Sequence, residues 1–124
     1  MKVLFVSERF PYPLDTGGNV RTFHLLRGLS AEHEVVLVTT GRGGVPTDHV
    51  RAVKPWCTDV HVVDVRDDSA LRDAAQFARS VVGGFPFVLA RHYHRALATR
   101  VRELTRAGAG IQAVHFNHLD AAQY

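Results

Sequence analysis

A chain of 124 residues has room for one domain with its own core, and its 46% hydrophobic and 22% charged content is that of a globular protein, not a disordered segment. Cys57 is the single cysteine, which excludes an internal disulfide framework and fits a reducing compartment. The net charge is +3, with lysine only at Lys2 and Lys54; no zinc-finger spacing, RNA-binding aromatic motif or basic repeat accompanies the arginines, so nucleic acid is not an expected partner.

The chain opens on an apolar run, Lys2–Ser7, far shorter than a signal-peptide core and followed by charged Glu8 and Arg9, so it reads as a first strand. No later stretch approaches the roughly 20 apolar residues that span a bilayer. A long proline-broken loop, Glu8–Gly18, ends in Gly17-Gly18-Asn19. Asn19 suits an N-cap, and a helix is expected from there to about Ser30, with Val20, Phe23, Leu26 and Leu29 toward the sheet. A second strand, Glu34–Thr40, is followed by a short helix at Thr47–Lys54 stopped by Pro55, and then by a third strand, Asp59–Val65.

A third helix, Ala70–Val82, is expected to bury Leu71, Ala74, Phe77, Ala78 and Val81. Gly83-Gly84-Phe85-Pro86 interrupts it. A fourth helix from about Phe87 to Ala107 should bury Leu89, Tyr93, Leu97, Val101 and Leu104, and Gly108 and Gly110 end it. A fourth strand, Gln112–Phe116, precedes the start of a further helix at Asp120 to Tyr124.

Near-continuous valine, leucine and phenylalanine in four runs suits strands buried on both faces. The expected fold is therefore α/β: a Rossmann-like, doubly wound parallel sheet with helices on both faces. Right-handed crossovers place the first strand near the middle, the second and third to one side and the fourth on the other.

Open α/β sheets bind ligands beyond the carboxyl ends of their strands, which directs attention to two segments. The first is the loop that ends in Gly17 and Gly18 at a helix start, where free backbone N–H groups and the helix dipole favour an anion. It has neither the G-x-G-x-x-G fingerprint nor the Gly-Lys-Ser/Thr of a P-loop. A turn needing positive φ would explain the same glycines. Arg21, one turn on, can add charge to such a site, and Arg9 is a second candidate from the loop. Asp15 reads either as a carboxylate for an acceptor hydroxyl or as plain turn chemistry.

The second segment is Val114-His115-Phe116-Asn117-His118, where alternation sends His115 and Asn117 to one face and leaves His118 in the loop. His92-x-His94 and His115-x-x-His118 are spaced like metal-ligand pairs. Residues two apart on a helix point away from each other, however, and no cysteine or carboxylate completes a set, so no metal is expected.

The run Pro13-Leu14-Asp15-Thr16-Gly17-Gly18-Asn19-Val20-Arg21-Thr22-Phe23-His24-Leu25-Leu26-Arg27-Gly28-Leu29, followed by His33-Glu34-Val35-Val36-Leu37-Val38-Thr39, resembles the N-terminal domain of glycosyltransferase family four. Phe85-Pro86-Phe87-Val88-Leu89-Ala90-Arg91-His92-Tyr93 and Val114 to Tyr124 resemble the bacterial sugar transferases of exopolysaccharide assembly within that family. The resemblance implies the N-terminal half of a GT-B enzyme, residues 1–124, whose second Rossmann-like domain lies elsewhere in a longer protein. It implies transfer of a sugar from a nucleotide-sugar donor to a hydroxyl acceptor with retention, without a covalently bound cofactor or a required divalent metal. Gly17, Gly18 and Arg21 would face the donor diphosphate. His118 or Asn117 would face the donor sugar, since a gap-free match to the family's His-x-His motif puts Asn117 at the second histidine.

Asp15, Phe87 and Arg91 fall on the acceptor side, where a sugar, lipid-linked or small-molecule acceptor would bind, either in the cytoplasm or at the inner face of the membrane with peripheral contact. The bland reading of the Phe87 and Arg91 region is an inter-helix turn with a solvated arginine face. The alternative for the whole chain is a non-catalytic α/β ligand-binding or interaction domain that uses the same sheet edge. An NAD-dependent oxidoreductase is disfavoured by the long first loop and the absent glycine fingerprint.

Overall fold

Val3 through Ser7 of the first strand are all buried, as are Val35 through Thr40 of the second, a pattern that only strands covered on both faces can show. The computed structural model describes residues 1–65, 70–84, 86, 93–106, 108–118 and 121–124. Four strands, β1 (Lys2–Ser7), β2 (Glu34–Gly41), β3 (Asp59–Asp64) and β4 (Ala113–Asn117), pair in parallel in the order β3-β2-β1-β4. The order steps outward from β1 in both directions, as right-handed crossovers require.

Alternation along β1 and β2 divides the core in two. Phe5, Val35 and Leu37 face α1 (Gly17–Ser30) and α2 (Thr47–Val53), packing against Leu26 and Val53. Leu4, Val6, Val36 and Val38 face the other way and are covered by Leu97 and Val101 of α4 (Arg95–Thr105), with Leu104 at the rim. Helices on both faces of a parallel sheet make this a Rossmann-like, doubly wound α/β domain.

Several local expectations are corrected. Helix α1 starts at Gly17 and is capped by Thr16, whose Oγ1 accepts the Asn19 N–H at 3.2 Å; Asn19 is the third residue of the helix and not its cap. That start turns a stripe of Thr22, Leu26 and Leu29 toward the sheet and leaves Val20 exposed. Helix α2 stops at Val53, one residue earlier than expected, and Pro55 lies in a 3₁₀ turn, Lys54–Trp56.

Helix α3 (Ala70–Gly83) forms where expected, but Ala74, Phe77, Ala78 and Val81 are exposed and not buried. Periodicity reports that a helix has an apolar side, not that another element lies against it. The fourth helix begins at Arg95; the Tyr93 ring stacks on Tyr124 ahead of it, and the His94 N–H is donated to the Tyr124 hydroxyl at 3.0 Å instead of to a helical carbonyl. Leu71 and Leu89 lie outside the residues whose side chains are described. The C-terminal helix start is a single 3₁₀ turn, Ala121–Gln123.

Candidate functional site

The strand order reverses between β1 and β4, so the crevice at their carboxyl ends is the topological switch point. Register places Ser7 of β1 beside Asn117 of β4, both on the α1 face. Asn117 is 2% exposed, and its amide nitrogen donates to Thr22 Oγ1 at 2.9 Å and to Ser7 Oγ at 3.4 Å. Both hydroxyls spend their own protons on backbone carbonyls, Thr22 on Gly18 and Ser7 on Arg9. They can therefore only accept from Asn117, which fixes the direction of its amide. The Asn117 Oδ1 is buried and has no partner. One side chain thus ties together β1, β4 and the first turns of α1.

Directly above this network the first turn of α1 is open. Asn19 and Val20 give their amide protons to Thr16, whereas the amides of Gly17 and Gly18 have no partner among the described residues. Neither glycine has positive φ, and a Cβ built on either meets nothing within 4 Å. Backbone conformation and packing therefore do not require glycine here, and the positive-φ turn is ruled out. What the two glycines do is leave two free N–H groups bare of side chains at the positive end of a helix.

Arg21 lies one turn along the same helix face and is exposed. Asp15, also exposed, is engaged in the loop itself: Asn19 Nδ2 donates to its Oδ1 at 3.3 Å and to the Pro13 carbonyl at 2.8 Å. Its contact is that of turn chemistry. Phe87 and Arg91 lie outside the described residues.

His118 follows immediately after β4, is exposed, and adopts φ 74°, making it the one non-glycine residue with positive φ among the described residues. For a residue with a Cβ this left-handed conformation is strained by about 1–3 kcal/mol and persists only where the surroundings impose it. The structure therefore separates the two candidates at the strand end, with Asn117 in the interior as a brace and His118 at the open edge.

Ser7, Thr22 and His115 are additions to the site. His115 shares the face of Asn117 and stacks on Phe5, with ring centroids 4.7 Å apart. Burial, and after it the Arg21 guanidinium, hold its imidazole below the usual range, so it is neutral at pH 7 and available for either hydrogen-bonding role. Thr22 is signalled in the sequence only by its place four residues before Leu26 on the buried stripe. Burial pushes the Cys57 thiol up to about 12, so the protonated thiol predominates at pH 7. Among the described residues no group of three histidine, cysteine or acidic side chains is placed to hold a metal ion, and no helix is long and apolar enough to cross a membrane.

Fold and crevice together define a class: a parallel α/β domain whose switch point is flanked by a glycine-bearing helix start and by a strand end followed by a histidine. No family model, curated protein or solved structure gives a significant match to the chain.

Proposed function

We propose that the chain is the N-terminal, acceptor-side domain of a retaining GT-B glycosyltransferase, transferring a sugar from a nucleotide-sugar donor to a hydroxyl acceptor. The observation that carries the reading is His118, held in a left-handed backbone immediately after β4, whose last residue, Asn117, is hydrogen-bonded to Thr22 of the helix that starts at Gly17-Gly18. Strain of that kind gathers at functional positions, and the switch point is where such a fold receives its ligand.

Glycosyl transfer develops positive charge on the sugar ring and negative charge on the departing diphosphate. Preorganised N–H donors aimed at the leaving group lower the barrier because they need no rearrangement as the charge grows. In this reading the Gly17 and Gly18 amides and the Arg21 guanidinium receive the diphosphate, while His118 orients the donor sugar. Asn117 acts through position, keeping β4 and α1 in register. A second domain supplies most donor contacts, and a sugar, lipid-linked or small soluble acceptor approaches from the side of Asp15, Phe87 and Arg91 in a cytoplasmic or membrane-peripheral setting.

The test is amide chemical-shift mapping of the isotope-labelled chain with pyrophosphate, UDP-glucose and GDP-mannose. All three should shift Gly17, Gly18 and Arg21, weakly for half of a cleft, and the sugar-bearing ligands should also shift His118. Shifts that avoid the switch point would overturn the reading.

A further inference from the structure

A second concavity lies on the other side of β1, across the carboxyl ends of β1 and β2, with a volume of about 470 Å³. None of Gly17, Gly18, Arg21, Asn117 or His118 lines it. We infer that this cleft is a separate binding site for a small anionic ring compound, such as a phosphorylated or carboxylated sugar, and the inference stands whether or not the transferase reading does.

The walls are built before any ligand arrives. The first, the segment after β1, is tied down by Ser7 Oγ donating to the Arg9 carbonyl at 2.8 Å and by Thr40 Oγ1 donating to the Glu8 carbonyl. The second, the loop after β2, is pinned at Gly41, where an added Cβ would stand 2.7 Å from Val45 Cγ2 and 3.0 Å from Val62 Cγ1. Farther along that loop, the Gly43 N–H donates to Asp64 Oδ1 at 3.0 Å. A preformed cleft of a few hundred Å³ with an apolar wall and a few convergent polar groups is the general form of a small-molecule site.

The lining specifies the ligand. Phe10, Val45 and Pro46 give an apolar wall, and the Tyr12 ring meets the His49 ring edge-on at 5.1 Å, leaving an aromatic surface for a ring to lie on. Arg9 and Arg42 both line the cleft, and the exposed Arg9 side chain has no ion-pair or hydrogen-bond partner among the described residues. A guanidinium at the rim of an apolar wall suits a carboxylate or phosphate, which it can grip through two parallel N–H donors. Glu8 also lines the cleft, so the anionic group is expected on the Arg9 guanidinium and away from that carboxylate.

The experiment is a shift titration of the whole chain with glucose 1-phosphate, glucuronate and uncharged glucose, in the native protein and in Arg9→Gln. Both anions, or one if the site distinguishes phosphate from carboxylate, should shift Tyr12, Gly44 and His49, and glucose should bind at least about tenfold more weakly. Arg9→Gln should weaken anion binding about tenfold without changing the rest of the spectrum, since Arg9 is exposed. Equal binding of glucose and the anions would overturn the proposal, as would an unaltered affinity in Arg9→Gln or shifts confined to Gly17 and Gly18. The last result would leave the switch-point reading intact, and shifts in this cleft with none at the glycines would keep this proposal while leaving the switch-point reading to be decided by pyrophosphate, UDP-glucose and GDP-mannose.

Discussion

The Asn117 amide donates to Thr22 Oγ1 at 2.9 Å, joining the last residue of β4 to a helix 95 positions earlier in the chain. Because the Thr22 proton is already given to Gly18, the bond also braces the first turn of α1. Asn117→Ala leaves two buried hydroxyls without their donor and opens a small void. Urea unfolding should show a loss of about 1–3 kcal/mol. Asn117→Asp should cost at least as much, because an unprotonated carboxylate cannot donate to either hydroxyl. A variant as stable as the parent would mean that the brace is not carrying the switch point.

The two glycines make the opposite prediction. With open space around each Cβ and no positive φ, Gly17→Ala and Gly18→Ala should fold normally and be unchanged or more stable by up to about 1 kcal/mol, as a helical alanine replaces glycine. Pyrophosphate binding, read by chemical shift, should weaken in both because methyl groups now stand where the anion approaches. Destabilised variants with intact binding would make the glycines structural.

His115 gives the protein a pH dependence of known sign. Its folded pKa lies below the unfolded value of about 6.5, so the neutral ring favours folding above that pH, and the contribution is lost as pH falls from there through the folded pKa. His61 is shifted in the same direction, first by burial, with Asp59 opposing and Arg100 adding to the shift. His115→Phe keeps a ring against Phe5 and cannot titrate. Thermal unfolding between pH 7 and pH 5 should therefore fall less steeply in His115→Phe than in the parent, with the His61 contribution common to both. Parallel curves would contradict the assignment.

The parts of the fold readable in the sequence are those governed by local pattern. The runs at Lys2–Ser7 and Glu34 onward are buried on both faces and could only be central strands, and the strand order followed from crossover handedness. The buried face of α1 departs from its apolar pattern because Val20 is the more apolar candidate, while Thr22 is drawn inward by a hydrogen bond from Asn117, distant in sequence. The apolar stripe of α3 misled in the other direction, since Phe77 and Val81 are exposed and no periodicity states what lies opposite a helix. At the site, the glycines, Arg21 and the strand end were legible as types and positions. The division of labour between Asn117 and His118 was not, because it depends on where β4 ends and on a single left-handed residue after it.

The proposed function assigns the strained backbone of His118 to donor-sugar binding, and His118→Gly tests this most directly because glycine adopts φ 74° without strain. Two readouts on the same variant are compared with the parent: urea unfolding, and the shifts that UDP-glucose or GDP-mannose produces beyond those of pyrophosphate. The expected variant is at least as stable as the parent, gaining up to about 1 kcal/mol after the added flexibility of the unfolded chain is offset, with the sugar-dependent shifts lost and the pyrophosphate shifts at Gly17 and Gly18 retained. A variant that is clearly less stable, or one that still shows the full sugar-dependent shifts, would contradict it.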